Sequence, residues 1–430
     1  TRRVGEGREG MALAGGGVLL LMMGSALFPA HCGWGTRLVS LLILVLGLTG
    51  LMAGVVGTVR SLLDVVFPSP HPQRELVDLV FQRRHLERGP KIVAIGGGTG
   101  LSTLIHGLKA YTTNITAVVT VADDGGSSGR LREEFGMLPP GDIRNCLVAL
   151  ADAEPLMQQL FQYRFSEASA LRGHNFGNLF ITAMTKITGD FEQAVQASSR
   201  VLAIRGHVIP STCTTVRLVA EHHDGSLTLG ESNISRAPVP IRRVYLEPAS
   251  APPTQGALAA IQQADVLVLG PGSLYTSIIP NLLVEGIVAA IVQSKALKIY
   301  TCNVMTQFRE TAGFKASDQV RALVAHTNPG ILHVCIVNTK PVPTELLEKY
   351  RKEDAFPVES DLDEIRALGY QVVADEVIST RDYVRHDPDK LARLIMGLAT
   401  GSRRLPGGPI GGRQTAAADH PPVAPLAQVA

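Results

Sequence analysis

The sequence predicts an α/β fold, a mostly parallel sheet with helices on both faces, carrying a small antiparallel β insertion and preceded by an N-terminal transmembrane helical hairpin. Three observations predict it. Between residues 91 and 398, apolar β-like runs alternate with helical ones: KIVAIG, LSTLIHGLKAY and NITAVVTVADD, then ADVLVLG, ALKIYTCNV and ILHVCIVN. Strands that are apolar on both faces need helical crossovers to cover them, which makes the sheet parallel. Residues 216–231 (VRLVAEHHDGSLTLGE) break that rhythm. There Asp224-Gly225 sits between alternating runs and reads as a hairpin with a type I′ turn. Finally, residues 12–28 and 38–59 contain no charged side chain.

The second charge-free run is long enough to cross about 30 Å of hydrocarbon at 1.5 Å per residue, while the first is marginal. Joined by a short link over 29–37, they form two spans. Arg2, Arg3 and Arg8 precede the hairpin, and Arg60, Arg74, Arg83, Arg84 and Arg88 follow it, whereas the link holds only Arg37. Cations collect on the cytoplasmic side. Both termini and the α/β domain are therefore expected in the cytoplasm, at the cytoplasmic membrane. The sequence opens on Thr1, and Met11 is a candidate start codon.

The expected organisation is a membrane hairpin over 1–66, a linker with a charged amphipathic helix over 67–90, the α/β domain over 91–398 and a disordered tail over 399–430. Prolines at 68, 70 and 72 break helix in the linker. The tail is rich in Gly, Pro and Ala and poor in large apolar groups.

Composition excludes several function classes. Hydrophobic residues make up 45% of 430 and charged ones only 18%, and mean hydropathy is +0.18. Forty Lys+Arg against 38 Asp+Glu leave +2, with one Trp, eight Tyr and 12 Phe. No nucleic-acid partner is expected, because both a basic field and stacking platforms are missing. The five cysteines, at 32, 146, 213, 302 and 335, show no paired spacing. They read as buried small apolar groups in a reducing compartment rather than as a zinc ribbon or disulfide framework.

Chemistry gathers in loops. The strand 91–95 runs into Gly96, Gly97, Gly98, Thr99 and Gly100 and then a helix, the order in which backbone N–H groups cradle a phosphate. It matches neither a P-loop nor a full dinucleotide fingerprint, since Leu101 replaces the third glycine. A tight turn that binds nothing is the alternative. The next strand ends in Asp123 and Asp124, followed by Gly125, Gly126, Ser127, Ser128 and Gly129. These acids lie where a carboxylate meets a ribose hydroxyl, or where magnesium takes one or two carboxylates beside phosphate oxygens. Helix capping is the structural alternative.

Further along, a proline-fixed loop presents Asp142, Arg144 and Asn145, with Arg144 suited to a bidentate anion contact. Residues 173–178 place His174 between glycines and amides, with Asn175 and Asn178 at a helix start. His174 has no second ligand at metal spacing, and His222 and His223 point to opposite faces of a strand. A second strand–loop–helix holds Gly270, Gly272, Ser273 and Tyr275, whose ring can stack on a ligand or donate its hydroxyl. Two such loops on one sheet suit a ligand with phosphate at one end and sugar or base at the other.

Taken together, GGGTGL at 96–101, TVADDGGSSGRLR at 120–132, PPGDIRN at 139–145, GHNFGNL at 173–179 and GPGSLYTSIIPNLL at 270–283 resemble the gluconeogenesis factor family, YvcK-like proteins related to the CofD 2-phospho-L-lactate transferases. The resemblance covers roughly residues 88–395. It implies a Rossmann-like α/β fold, binding of a UDP-sugar type of ligand, and a role in carbon metabolism and bacterial cell shape or envelope maintenance. It also implies that the glycines, Asp123, Asp124, Asn175, Asn178, Ser273 and Tyr275 match site motifs. For the CofD relatives it implies transfer of a phospholactyl group from a guanosine diphosphate carrier, with Mg held by acids, here Asp123 and Asp124. Where relatives carry Pro-Gly-Glu-Thr or Arg-Gly-Glu-Thr after Met-Thr-Gln, this chain has Phe308, Arg309, Glu310 and Thr311.

The leading expectation is a membrane-tethered nucleotide-sugar-binding regulator, homo-oligomeric and with regulatory protein partners. A phospholactate-type transferase is the alternative, and an NAD-dependent oxidoreductase comes third. No nucleophile–base pair is legible, so no catalytic residue is assigned unless Asp123 or Asp124 serves a transferase.

Overall fold

A computed structural model describes residues 2–26, 34–66, 84, 86–152, 155–166, 170–380 and 383–401. The chain divides into two compact units, 1–85 and 86–430. The expected linker helix lies largely outside the described residues, as do the hairpin link at 27–33 and the tail from 402.

In the first unit, two helices, Arg2–Ala26 and Trp34–Val66, pack against each other. Glycines set their separation. A Cβ on Gly17 would lie 2.5 Å from the Leu51 backbone nitrogen, and one on Gly47 would lie 2.9 Å from the Gly17 carbonyl oxygen. Such small-residue contacts let backbones approach as they do in lipid-embedded helix pairs. Leu19, Met22, Leu42 and Leu46 are exposed on the outside of the pair. The 23-residue segment Arg37–Val59, with mean hydropathy 2.5, is long and apolar enough to cross a membrane. The apolar part of the first helix, Met11–Met23, is shorter, about 20 Å at helical rise. The helix that holds it runs over Arg2–Ala26 and so includes the charged residues 2–8, while the last two residues of the expected 12–28 span lie outside the described residues.

Among the described residues the second unit has twelve strands: β1 (Ile92–Gly96), β2 (Ile115–Val119), β3 (His207–Pro210), β4 (Arg217–His222), β5 (Leu227–Leu229), β6 (Ile241–Glu247), β7 (Val266–Leu269), β8 (Leu297–Thr301), β9 (Val334–Asn338), β10 (Gln371–Asp375), β11 (Ile378–Ser379) and β12 (Arg385–His386). Seven form one sheet in the order β10-β9-β8-β7-β1-β2-β3, parallel throughout. Ile92 on the central strand faces Ile115 on one side and Val266 on the other. All five β1 residues and all four of β7 are buried, which is why those runs show no polar alternation. Helices such as Gly98–Leu108 return the chain between strands.

From β1 the sheet grows through β2 to β3, and then restarts on the opposite flank of β1 with β7. The reversal between β1 and β7 is the topological switch point, where the carboxyl ends of the strands open a crevice.

The insertion is a three-stranded antiparallel sheet, β5-β4-β6. Its turn differs from the type I′ expected: the Gly225 N–H donates to the His222 carbonyl, and among residues 223–225 only Gly225 has positive φ, +82°. Asp224 instead spends its carboxylate on the Ser226 N–H and hydroxyl, which favours a wider loop with one left-handed residue. His222 is buried and His223 exposed, on opposite faces. Cys146, Cys302 and Cys335 are buried, whereas Cys213 is exposed, because it sits in the loop beyond β3 rather than in a strand. At that edge Pro210 ends β3, and its carbonyl accepts the Thr254 hydroxyl at 2.8 Å.

Candidate functional site

The two glycine loops meet at the switch point. Gly97 is extended and starts the helix Gly98–Leu108, and Gly98 has φ +65°. A Cβ on Gly100 would lie 2.5 Å from the Pro271 carbonyl, and one on Gly97 would strike Asp142 Oδ2. Gly96 and Gly270 also adjoin, with 3.9 Å separating a Cβ at 96 from the Gly270 Cα. These glycines therefore serve close loop–loop packing as well as any ligand. Asn281 fixes the junction: its amide donates to the Gly96 carbonyl at 2.9 Å and to the Ser277 carbonyl at 2.8 Å.

Between the loops lies a cleft of about 230 Å³, lined by Thr99, Gly100, Thr103, Gly272 and Ser273 on one side and by Asn303, Gln307, Arg385 and His386 on the other. Ser273 is engaged on both sides. Its hydroxyl accepts from the Thr276 hydroxyl at 2.7 Å and donates to Glu310 at 2.5 Å. The other Glu310 oxygen accepts the Ser235 hydroxyl at 2.9 Å, so this carboxylate ties the GPGS loop to the antiparallel insertion. Gln307 Oε1 and His386 Nε2 are buried without a partner among the described residues. An orphaned buried acceptor costs about 1–3 kcal/mol, so each calls for an explanation.

Carboxyl groups from four separate elements border the glycine loops. Asp123, at the end of β2, accepts the Gly125 N–H at 2.8 Å, and burial raises its pKa. Asp142 accepts the Gly98 N–H; burial, followed by the Asp123 charge, pushes it up to about 6. Glu231 is pushed up to about 8 by burial and by Asp123, and Glu310 is raised by burial. Acids that resist ionising share protons instead of repelling one another, and Glu231 hydrogen-bonds Asp123.

Asp124 does not join them as a second open carboxylate. Its Oδ1 accepts the Ser232 N–H at 2.8 Å and the Ser232 hydroxyl at 2.7 Å, capping the short helix Glu231–Ile234. The expected Asp123–Asp124 metal pair is thus divided. Among the described residues no three His, Cys, Asp or Glu side chains gather as a metal shell.

The other predicted residues fall into two further places. Gly126 opens the helix Gly126–Phe135, and Ser127 meets His174 Nδ1 at 3.3 Å. Burial, then Arg130, lowers the pKa of His174. Asn175 is a helix cap: its Oδ1 accepts the Asn178 N–H at 3.2 Å and its amide donates to the Gln162 carbonyl at 3.0 Å. Asn178 is buried, with Oδ1 unpartnered. Arg144 packs its stem against Gly177 and donates to Asn145 Oδ1 at 2.6 Å. These residues gather beside the 125–129 loop, and none of them lines the 230 Å³ cleft.

Tyr275 lies outside the lining of the 230 Å³ cleft. It is buried, with its ring edge-on to Phe314 and His326, and burial and Glu310 push its pKa up to about 12. It faces a separate cavity of about 450 Å³ with Phe308, Arg309 and Arg242. Arg309 lies over the Phe308 ring and donates to the Arg236 carbonyl, so the divergent loop is tied to the insertion. Sequence reasoning assigned no role to Glu231, Glu310, Asn281, Gln307, Arg385 or His386, which stand far apart in the chain, although Asn281 falls within the 270–283 motif and Gln307 and Glu310 within the divergent segment 305–311.

Residues 92–378 match the family model described as 2-phospho-L-lactate transferase CofD. The chain belongs to the CofD family. Within it, the similarity runs to gluconeogenesis factors. The gluconeogenesis factor of Bacillus subtilis is 48% identical over 310 residues, 72% of this chain and 98% of that protein. That of Halalkalibacterium halodurans is 49% identical over 306 residues, 71% of this chain and 95% of the relative. A crystal structure from Bacillus halodurans, titled as a protein of the UPF0052 family, superposes with TM-score 0.70 at 47% identity, covering 72% of this chain and 99% of its own. What this CofD-family chain shares with these relatives is the α/β unit. The matched length leaves room for the hairpin outside it.

Proposed function

We propose that this protein is a membrane-tethered regulator of carbon metabolism, with a role in cell shape and envelope maintenance, which binds a nucleotide sugar of the UDP-sugar kind in the switch-point cleft. One observation carries the reading: two glycine loops on neighbouring strands close on one cleft, lined by Thr99, Gly100, Gly272 and Ser273, with Arg385 also in its lining. Such a cradle holds a diphosphate by backbone donors. A regulator needs no nucleophile. The names of the relatives support the carbon-metabolism part. Arg37–Val59 supports a tether, with both termini and the α/β unit on the cytoplasmic side. Titration calorimetry of the detergent-solubilised chain with UDP-N-acetylglucosamine, GDP and NAD tests the ligand. Heat from the UDP-sugar is expected, and tight NAD binding with no heat from either diphosphate overturns the reading. A reporter fused after Leu398 is expected to give a cytoplasmic signal. Light scattering tests the homo-oligomer and co-purification the protein partners proposed with it.

The family-model match favours a second reading, a phospholactate-type transferase. In it, an acceptor hydroxyl oxygen bonds to the lactate-bearing phosphorus, the bond to the GMP oxygen breaks, and the hydroxyl proton passes to an ionised carboxylate such as Asp123. Release of GMP from a phospholactyl-guanosine donor, dependent on an acceptor, would establish the transferase and displace the regulator.

A further inference from the structure

The cavity of about 450 Å³ beside the insertion has a polarity of its own. At its closed end Tyr275 is only 3% exposed, its ring held edge-on by Phe314 at 6.3 Å and by His326 at 5.7 Å. No described residue hydrogen-bonds the Tyr275 hydroxyl. Thr301 Oγ1 is unpartnered and sealed, whereas the Tyr275 oxygen keeps accessible surface, and the residue lines this cavity. Burial and Glu310 push its pKa up to about 12, so the phenol stays protonated and able to donate.

At the open side stand Phe308, 42% exposed, and the Arg309 guanidinium, 4.5 Å above its ring. Arg309 has φ +67°, a left-handed backbone that strains an L side chain and persists where its surroundings fix it. It donates to the Arg236 carbonyl and, among the described residues, has no carboxylate partner. Arg242 beside it shares the single Glu221 carboxylate with Arg243, so two cations meet one anion. This side therefore carries uncompensated positive charge. Phe308, Phe314 and Pro240 supply apolar wall between the two ends.

We infer that this cavity is a second ligand site, which takes an aromatic anion: its ring lies against Phe308 and Phe314, its anionic group meets Arg309 and Arg242, and an acceptor at its far end takes the Tyr275 hydroxyl. Apolar walls with a few placed polar groups are the make-up of small-molecule pockets, and this volume suits a two-ring molecule. Guanidinium–anion contacts are charge-assisted, and a buried hydroxyl left unpaired penalises a ligand without the matching acceptor. Ser273 lines the cleft and Glu310 the cavity, and the hydrogen bond between them makes the two compartments neighbours. The site is therefore separate from that of the nucleotide sugar and does not depend on that reading.

The full chain in detergent is titrated by calorimetry, against a detergent blank, with three probes. They are 6-hydroxy-2-naphthoate, 2-naphthoate, which lacks the far hydroxyl, and 2-naphthol, which lacks the anion. The first is expected to bind one to one, the second at least fivefold more weakly and the third at least tenfold. Tyr275→Phe is expected to bring the first two within twofold of each other. Arg309→Gly, which relieves the left-handed backbone, is expected to melt no lower than wild type yet to bind 6-hydroxy-2-naphthoate at least fivefold more weakly, a separation that damage to the fold would not give. Saturation with UDP-N-acetylglucosamine is expected to leave naphthoate affinity unchanged. No binding of 6-hydroxy-2-naphthoate, equal affinity for all three probes, the hydroxyl preference intact in Tyr275→Phe, wild-type affinity in Arg309→Gly, or competition by UDP-N-acetylglucosamine overturns the inference. Should Tyr275→Phe fail to fold, the three probes on wild type and the Arg309→Gly titration still decide it.

Discussion

Asp124 and Ser232, 108 residues apart, are joined by two hydrogen bonds to a single carboxylate oxygen, one from the Ser232 backbone N–H at 2.8 Å and one from its hydroxyl at 2.7 Å. This contact fastens the antiparallel insertion to the end of β2. A Cβ on the neighbouring Gly230 would strike the other Asp124 oxygen, so the seat is fitted to glycine.

Asp124→Ala should therefore cost about 1–3 kcal/mol in urea unfolding, because it orphans two part-buried donors. Asp124→Asn, which keeps an acceptor, should cost less than half of that. Amide exchange at Ser232 should accelerate in the alanine variant alone. Wild-type stability and protection in Asp124→Ala would remove the structural role assigned here.

Adjacent glycines should behave differently. Gly98→Ala meets only Ser277 Oγ at 3.8 Å and carries mainly the strain of φ +65°, about 1–2 kcal/mol. Gly100→Ala presses into the Pro271 carbonyl and must part the two loops, at about 2–4 kcal/mol. Thermal unfolding of the two variants side by side measures the gap, and UDP-sugar affinity should fall furthest in Gly100→Ala.

The raised acids make stability depend on pH with a definite sign. Glu231 titrates at about 8 when folded against 4.5 for the free side chain, so between those values the folded state holds the extra proton. Its favourable contribution is complete below about pH 4.5 and is lost as pH rises through 8. Asp142 acts alike in the narrower interval from 3.8 to about 6. Glu231→Gln, which can still donate to Asp123, should flatten the decline and stabilise the protein at pH 8.5 by about 1 kcal/mol, after allowance for screening. Melting temperatures from pH 5 to 9 check this; parallel curves for variant and wild type would contradict it.

In the helix pair, Gly17→Leu should separate the helices, since even a Cβ there lies 2.5 Å from the Leu51 nitrogen. Gly16→Leu should not, because nothing approaches that position within 4 Å. Cross-linking of cysteines introduced at Leu13 and Gly50, whose backbones adjoin, should drop several-fold in the first variant and persist in the second.

The sheet was legible because burial on both faces leaves an unbroken apolar run, and the two glycine loops because close backbone packing tolerates no side chain. Asn175 and Asp124 were legible only as alternatives. Their residue types serve ligand contacts and helix caps equally well, and the choice depends on what stands opposite, Asn178 in one case and Ser232 in the other. Tyr275 is buried in the helix Leu274–Ile278 and borders the cavity with Phe308, Arg309 and Arg242 rather than the cleft between the glycine loops, a placement no local pattern announces. Glu310 reaches the site from a loop, Asn281 from the helix Ile279–Leu282 and His386 from β12, and no local pattern announces a contact across 37 to 185 residues.

The outer edge of the sheet at β3 has a consequence for crowding. Pro210 offers no N–H there, and Thr254 already occupies its carbonyl. A strand from a neighbouring molecule finds neither donor nor acceptor at that point. At high local density an open edge would recruit copies into extended sheets, and at Pro210 this edge is blunted against that fate.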